Sequence, residues 1–302
     1  MKIVGYFLLG LALLTCKQKN AQLNLERKKS NMNKYAPMQF DTRPYYTIQI
    51  AKGGSTVELF VNDIIVYRYL EQGGLSVNVP INATLMKSGT HELKLKVYPD
   101  KGKTYLDEYS YVNIDVRLYA DVDDPASEYR SILKFDLPEE TKTTKVPYFE
   151  IELPFKAEVP FDLGYILDNA EILKGQDNIE KEIIGEYKNA HKAFKNLDAQ
   201  WFIDKRREGN YAVATAFYLT QDQYHKRESN FKSLFDLNAK VEPIEEFEIE
   251  YAAKGKIAYL VQKGTRGPVL RSFINKGEAN QEEITIMIGL YRKKGSNTFS
   301  FF

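Results

Sequence analysis

The residue types that most often do chemistry are few and scattered in this chain of 302 residues. Its three histidines fall in different predicted elements: His91 at the start of a strand, His191 on a helix and His225 in a polar turn. A zinc site needs three or four converging ligands, and the histidines show no H-E-x-x-H or comparable spacing. We therefore expect no metal site.

Acid pairs and nucleophile motifs do not predict catalysis either. Neighbouring glutamates occur in turns or at strand starts, at Glu139-Glu140, Glu245-Glu246 and Glu282-Glu283. Adjacent side chains on a strand point to opposite faces, which makes these pairs poor candidates for acid–base work on a glycosidic bond. The sequence contains no G-x-S-x-G, P-loop or Rossmann glycine pattern. We predict a protein that is not an enzyme and has no cofactor.

The only cysteine, Cys16, follows a short apolar N-terminus. After Lys2, an apolar run extends from Ile3 to Leu14, which is typical of a signal peptide and shorter than the roughly 20 residues of a membrane-spanning helix. The residues Leu13-Leu14-Thr15-Cys16 resemble the lipobox of bacterial lipoproteins. The resemblance implies that residues 1–15 are removed as a signal peptide. It also implies that acyl chains on Cys16 make the lipid bilayer a partner, because two or more chains anchor a protein firmly.

The residue after the cysteine is Lys17 rather than aspartate, which by analogy with lipoproteins favours the outer membrane. No acidic run follows Cys16, and we therefore expect the periplasmic face rather than the exterior.

Residues 16–43 are predicted to be a basic flexible tether. Residues 17–34 hold six cations against Glu26, a net charge of +5. Each cation near an anionic membrane surface contributes about 1 kcal/mol, although a solvated linker with a basic composition would look the same. The whole chain carries +1 and Lys2 accounts for one charge, which leaves −5 for residues 35–302. An acidic body argues against nucleic acid as a partner.

Residues 44–155 have a period of two almost throughout, which predicts antiparallel strands. One example is "HELKLKVYP", where Leu93, Leu95 and Val97 alternate with charged residues. Short strands between regular Gly and Asp turns indicate a β-sandwich. Immunoglobulin-like and jelly-roll forms both remain open. The segment "LMKSGTHELKLKVYP" resembles a loop–Gly–strand phrase common in immunoglobulin-like modules.

A row of side chains is expected on the outer face of this sandwich: Tyr109, Tyr111, Arg117 and Tyr119. Such a row is consistent with a platform on which sugar rings stack. A cross-strand aromatic ladder, or a face covered by the second domain, would also explain it.

Residues 156–302 are predicted to form an α+β domain, with helices first and a curved antiparallel sheet after them. The clearest helix covers about residues 177–200, starting at Asp177 or Asn178; Gly209 and Asn210 are expected to break the chain before a second helix. The outline resembles cystatin and NTF2-like folds, which implies an apolar pocket between the sheet and the helix. The candidate ligand-binding residues here are Trp201, Tyr218, Arg266 and Arg271.

Three classes of function follow. The first is a non-enzymatic, membrane-tethered binding protein with a protein partner, in one version an inhibitor or immunity-type lipoprotein. The second is a glycan-binding surface lipoprotein, which depends on the tyrosine row. The third is a small-ligand carrier or enzyme built on a cone-like pocket.

Overall fold

The computed structural model describes residues 35–124, 128–237 and 239–302. The predicted signal peptide, Cys16 and the tether up to residue 34 lie outside the described residues. Within this part of the chain, the strands form four antiparallel sheets, and helices connect them. The prediction of a mixed, mostly β chain, with strands first, then helices and then strands again, is confirmed.

The first part of the chain forms two of these sheets. Its strands are β1 (Tyr45–Gly53), β2 (Ser55–Val61), β3 (Ile64–Tyr69), β4 (Leu75–Pro80), β5 (Gly89–Pro99), β6 (Tyr111–Tyr119), β7 (Tyr129–Asp136) and β8 (Phe149–Ala157). Sheet A has the order β4-β1-β6-β7, and sheet B has the order β3-β2-β5-β8. Two short helices lie in the connections, α1 (Asn82–Leu85) and α2 (Glu140–Thr143).

Sheets A and B pack face to face over one apolar core. Ile48 and Ile50 of sheet A belong to the same buried cluster as Leu59, Leu93 and Leu95 of sheet B. Because side chains alternate along a strand, the period of two in the sequence places every second residue in this core. The result is a β-sandwich.

The second part begins with helices. They are α3 (Tyr165–Asp168), α4 (Ile179–Lys195), α5 (Ala199–Lys205), α6 (Arg207–Ala216) and α7 (Gln221–Ser233). The helix predicted over residues 177–200 ends early, because Leu197 has a left-handed φ of 58° through which an α-helix does not continue. The side chain of Asp198 then accepts a hydrogen bond from the backbone N–H of Trp201 at 3.0 Å and caps α5.

The expected break at Gly209 and Asn210 is wrong, since both residues lie inside α6. A Cβ atom at Gly209 would lie 2.7 Å from the carbonyl oxygen of Phe301. The glycine is therefore explained by close packing of α6 against the last strand rather than by a turn.

The remaining strands are β9 (Lys240–Val241), β10 (Phe247–Ala252), β11 (Ile257–Gln262), β12 (Leu270–Ile274), β13 (Glu282–Ile286), β14 (Leu290–Arg292) and β15 (Phe299–Phe301). Sheet C has the order β10-β11-β14-β15 and sheet D the order β13-β12-β9. The single curved sheet expected from the sequence is thus divided in two. The run "EITIMIGLYRK" breaks after Ile286, and its halves pair in different sheets, β13 with β12 and β14 with β11.

Gly289 lies at this break. A Cβ atom there would approach Ile257 Cγ2 to 2.8 Å and the Tyr259 ring to 2.9 Å. The backbone can therefore approach the side chains of β11 this closely only where it carries no side chain itself.

The two parts of the chain share apolar packing. The buried cluster of the sandwich extends to Tyr211 and Tyr218 near α6 and to Tyr259 of β11. Alternate side chains of the connection from β8 to α3 are buried in it, with Val159, Phe161 and Leu163 all less than 9% exposed. A second cluster fills the space between α4 and sheet C, where Tyr187, Phe194 and Phe202 are buried.

Candidate functional site

Four connections come together at one end of the sandwich, which we call the tyrosine end. They are the β1–β2 turn (Gly53–Gly54), the loop 70–74, the loop 100–110 and the connection 137–148. The pairing of the strands brings them together, because Gly53 is opposite Tyr111 and Val97 is opposite Phe149.

Exposed tyrosines line the loops of this end: Tyr105, Tyr109, Tyr111 and Tyr148. Tyr109 is the most exposed of them, at 69%. The ammonium group of Lys103 lies 5.8 Å from the centre of the Tyr109 ring, and that of Lys145 lies 5.1 Å from the Tyr105 ring. These distances fit cation–π contacts. The end therefore combines aromatic faces with lysines beside two of the rings, and Lys103 also forms an ion pair with Asp107 at 2.5 Å.

A buried lysine holds two of these connections together. The side chain of Lys52 has no solvent exposure. Its ammonium group donates to the carbonyl oxygens of Ser55 and Gly73, each at 2.7 Å, and to that of Glu71 at 3.3 Å. Burial lowers the pKa of Lys52. Because its acceptors belong to both the β1–β2 turn and the loop 70–74, Lys52 fixes the position of one against the other.

The predicted outward row of tyrosines does not hold along its whole length. Tyr111 lies across Gly53 on the neighbouring strand, where a Cβ atom would meet its ring at 2.5 Å. Tyr119 was expected to point outward but is only 5% exposed, since it packs between Tyr45 and Tyr129 at the opposite end of the strand. A β-bulge between Val116 and Arg117 separates the two halves of β6.

Arg117 faces outward as predicted but is not free. Its guanidinium forms an ion pair with Asp115 at 2.9 Å and donates to Gln49 at 3.3 Å. It also lies 4.1 Å from the centre of the Tyr129 ring. These contacts are best explained as a cross-strand ladder.

The most extensive ion network joins the two parts of the chain. Glu58 of β2 has no solvent exposure, and it pairs with Arg68 of β3 at 2.5 Å and with Arg266 of the β11–β12 connection at 2.7 Å. Glu250 of β10 accepts from the same two guanidiniums, at 2.7 and 2.5 Å. The Tyr98 hydroxyl donates to Glu58 at 2.8 Å. Two anions and two cations thus balance one another across the boundary. We call Glu58, Arg68, Tyr98, Glu250 and Arg266 the interdomain cluster.

The protonation of this cluster follows from its contacts. Burial would raise the pKa of Glu58, but the Tyr98 hydroxyl and the charges of Arg68 and Arg266 outweigh it and hold the pKa of Glu58 below its usual value. Burial and the hydrogen bond to Glu58 raise the pKa of Tyr98 to about 12. Glu58 is therefore charged and Tyr98 neutral at neutral pH.

The four candidate ligand-binding residues of the second part do not converge. Arg266 belongs to the interdomain cluster, and Arg271 of β12 faces Glu283 at 3.7 Å in sheet D. Trp201 packs on Phe202 and Phe301 at the edge of the second core. Tyr218 is 4% exposed, and its hydroxyl donates to the carbonyl oxygen of Pro44 at 3.0 Å. Each has a structural partner of its own.

The beginning of the described chain packs at the opposite end of the sandwich, which we call the near end. The Tyr35 ring contacts that of Tyr211, and the Phe40 ring contacts those of Phe161 and Tyr218. Arg43 then pairs with Asp121 at 2.8 Å, just before β1 begins. The chain is therefore firmly attached to the folded body where the predicted tether ends.

The histidines lie apart from one another. The His91 ring is buried beside Phe155, and its Nδ1 accepts from the side-chain amide of Asn62 at 3.0 Å. Nε2 of His191 is 2.8 Å from the carbonyl oxygen of Glu242, and His225 contacts Gln221. Among the described residues, no group of three or more His, Cys, Asp or Glu is arranged to hold a metal ion.

The sequence analysis did not identify Lys52, which holds connections of the tyrosine end, or Glu58, which lies at the centre of the interdomain cluster. Lys52 was detectable, because it continues the inward row of Ile48 and Ile50 on β1. Glu58 was not, since a charged residue between Val57 and Leu59 is expected to face solvent. Its partner Arg266 comes 208 residues later.

The comparisons with known proteins found no matching family model, curated protein or solved structure. In the part of the chain that the structure describes, no helix is long and apolar enough to cross a membrane.

Proposed function

We propose that this protein is a lipid-anchored binding protein of the bacterial cell envelope, held in the outer membrane through Cys16 and facing the periplasm. It acts without catalysis and engages a protein partner through the tyrosine end. The lipobox-like residues Leu13 to Cys16 support the anchor, and the properties of the tyrosine end support the binding role.

The binding role rests on one observation: the chain enters the sandwich at the near end, and the exposed tyrosines lie at the opposite end. The chain joins the body at the near end, next to Tyr45, and β1 runs nine residues to Gly53 at the tyrosine end. At about 3.3 Å per residue this strand spans roughly 30 Å. A chain anchored through residue 16 would therefore present the exposed tyrosines well away from its point of attachment.

The chemistry of the tyrosine end also fits a protein partner. Tyrosine supplies a large contact area at low cost in side-chain entropy, and it is enriched at the energetic centres of interfaces. The loop 100–110, which carries Tyr105 and Tyr109, is held by hydrogen bonds from neighbouring connections. The Gln72 side chain donates to the carbonyl oxygen of Lys101 at 2.8 Å, the Ser110 hydroxyl donates to that of Gly54 at 2.7 Å, and the N–H of Leu106 donates to that of Val146 at 2.9 Å. Ordered loops lose less entropy on binding.

A glycan is the second candidate ligand, and the exposure of Tyr109 favours it. A ring that is 69% exposed offers a face on which a sugar ring could stack. The observation covers one residue, whereas a protein partner would use the whole end. We therefore rank the glycan second.

The finer fold assignment is part of the same proposal. Connections that cross between sheets A and B, such as β1 to β2 and β3 to β4, support an immunoglobulin-like or jelly-roll sandwich. The packing of α4 against β11 and β12 supports a cystatin- or NTF2-like second part.

The anchor is tested by fractionation of cells that express the Cys16→Ala variant. The wild type is expected in the outer-membrane fraction and the variant in the soluble periplasmic fraction. If the variant stays in the membrane, the proposed anchor is wrong. The binding role is then judged by its own test, described next.

The binding role is tested with a photo-crosslinking amino acid at position 109, in the cells that naturally make the protein. A discrete adduct is expected there and not at position 226, an exposed lysine on α7. The Lys52→Met variant removes the hydrogen bonds that hold the loop 70–74, which contacts the loop 100–110 through Gln72, and should weaken the adduct. If positions 105, 109 and 148 all give the same background as position 226, the protein partner is excluded. Binding of the wild type to a glycan array, lost in Tyr109→Ala, would instead favour the second candidate.

A further inference from the structure

A small cavity lies between the α5–α6 junction and α7. Its volume is about 50 Å³, and its polar wall is formed by Arg206, Asn210, Arg227 and Glu228. A volume of about 10–15 Å³ on the same measure holds one water molecule. The cavity therefore has room for one small polyatomic ion but not for a sugar or a nucleotide.

The backbone fixes Arg206 at the edge of this cavity. Its N–H donates to the carbonyl oxygen of Phe202 at 2.9 Å, and its carbonyl oxygen accepts from the N–H of Asn210 at 2.7 Å. Its guanidinium lies 5.8 Å from the centre of the Phe231 ring on α7. Arg227 reaches the same cavity from the preceding turn of α7, one turn before Phe231.

Neither of these two arginines has a carboxylate partner among the described residues. The cations on either side of Arg206 differ in this respect. Lys205 pairs with Glu186 at 2.6 Å, and Arg207 pairs with Asp204. Burial lowers the pKa of Arg206, and the charge of Arg227 lowers it further. Arg206 is half-buried and Arg227 is exposed, and two like charges at one cavity favour the binding of a counter-charge between them.

The other groups at the cavity do not supply that counter-charge. Glu228 lines the cavity, but its carboxylate accepts a hydrogen bond from the Tyr224 hydroxyl and forms no ion pair with either arginine. Arg207 is near enough for its charge to lower the pKa of Tyr224, but it is already paired with Asp204. The groups that face the cavity thus comprise two unpaired cations and one anion, a net positive charge.

We propose that this cavity is a binding site for a small tetrahedral oxyanion, phosphate or sulfate, held by the guanidiniums of Arg206 and Arg227 and the side-chain amide of Asn210. Guanidinium groups bind such oxyanions through paired N–H donors with matching geometry. The bound ion would link the α5–α6 junction to α7. This site is separate from the tyrosine end and does not rest on the proposed function.

The site is tested on the detergent-solubilised full chain by calorimetric titration and by the thermal midpoint of unfolding. Inorganic phosphate and sulfate are compared with chloride at matched ionic strength. A ligand that binds only the folded state stabilises it in proportion to the logarithm of its concentration. Phosphate should therefore give a saturable heat of binding. Because phosphate and sulfate also stabilise proteins without binding, by exclusion from the surface, the site predicts a larger rise of the midpoint in the wild type than in Arg227→Gln in the same salts.

Three variants and one control make the test specific. Arg206→Gln and Arg227→Gln should each weaken phosphate binding by about tenfold or more, since each removes a charge-assisted hydrogen bond. Arg227 is exposed, and its variant therefore remains informative if Arg206→Gln fails to fold. Glu228→Gln removes the competing anion and should tighten binding. Arg130→Gln, at an exposed arginine on β7, should change nothing. The proposal is overturned if phosphate acts no differently from chloride, or if Arg227→Gln binds phosphate as well as Arg130→Gln does.

Discussion

Arg266 donates to Glu58 across the boundary between the two parts of the chain, with 2.7 Å between Nη1 and Oε1. The carboxylate has no solvent exposure, and Arg68 reaches it from the neighbouring strand at 2.5 Å. A buried charge is tolerated only where partners surround it. The sandwich therefore depends on the second part of the chain to keep Glu58 compensated.

Glu58→Gln should lower the free energy of unfolding by roughly 3–5 kcal/mol, the usual cost of removing one partner from a buried ion network. The amide keeps the shape of the side chain but leaves Arg68 and Arg266 undercompensated. Denaturant unfolding measures the effect. Glu139→Gln is the control, because Glu139 pairs with Lys142 on the surface and is 83% exposed; its stability should hardly change. Equal stability of the two variants would contradict the role of the interdomain cluster.

Lowering the pH should weaken the interdomain cluster, because protonation of Glu58 removes its negative charge. Because the pKa of Glu58 in the folded protein lies below the ordinary value of 4.5, its contribution is complete above pH 4.5 and is lost as the pH falls through the lowered pKa. The difference in stability between the wild type and Glu58→Gln should thus be constant near neutral pH and shrink in acid. Denaturation series at several pH values check this. A difference that stays constant in acid would mean that Glu58 does not titrate as proposed.

Replacing each of two helical glycines by alanine should change the free energy of unfolding in opposite directions. At Gly185 of α4 an added Cβ meets nothing within 4 Å, and Gly185→Ala should raise stability by about 0.5–1 kcal/mol through helix propensity. At Gly209 of α6 the Cβ would lie 2.7 Å from the carbonyl oxygen of Phe301, and Gly209→Ala should lower stability by roughly 1–3 kcal/mol. Thermal or denaturant unfolding separates the two. Stabilisation by both substitutions would show that α6 does not pack closely on β15.

Replacing Tyr109 and replacing Tyr111 by alanine should change the stability by different amounts, since the Tyr109 ring is 69% exposed and the Tyr111 ring covers a glycine. Tyr109→Ala should change the free energy of unfolding by less than about 0.5 kcal/mol, as expected for an exposed side chain. Tyr111→Ala uncovers Gly53 and should cost about 1 kcal/mol. Only the first variant is a clean probe of binding. A large loss of stability in Tyr109→Ala would mean that its ring supports the loop 100–110.

The alternation of residues was sufficient to predict the sandwich. Leu93, Leu95 and Val97 on β5 are buried as the period of two requires, because a pattern within one strand depends only on strand geometry. The division of the last sheet was not predictable, since "EITIMIGLYRK" is continuously strand-like in composition. What interrupts it is the approach of Gly289 to Tyr259, a contact between distant residues.

The binding surfaces were harder to predict from sequence than the fold. Tyr109 and Tyr111 were found, because aromatic residues around a strand start are visible in the sequence. Arg266 was named as a ligand-binding candidate and is instead part of the interdomain cluster. Arg206 and Arg227 were not singled out, since their relevant property is the lack of a carboxylate partner, and pairing is decided by the packing of α5, α6 and α7.

The burial of the connection from β8 to α3 limits how this protein can move. Domains that rotate against one another do so about a few exposed residues whose backbone torsions change. Here that role would fall to Val159, Phe161 and Leu163, whose side chains are packed in the shared core. In this described segment these side chains alternate with the exposed Glu158, Pro160 and Asp162, and a bend here would pull apolar side chains out of the core. Rotation of one part of the chain against the other is therefore resisted by the packing of Val159, Phe161 and Leu163.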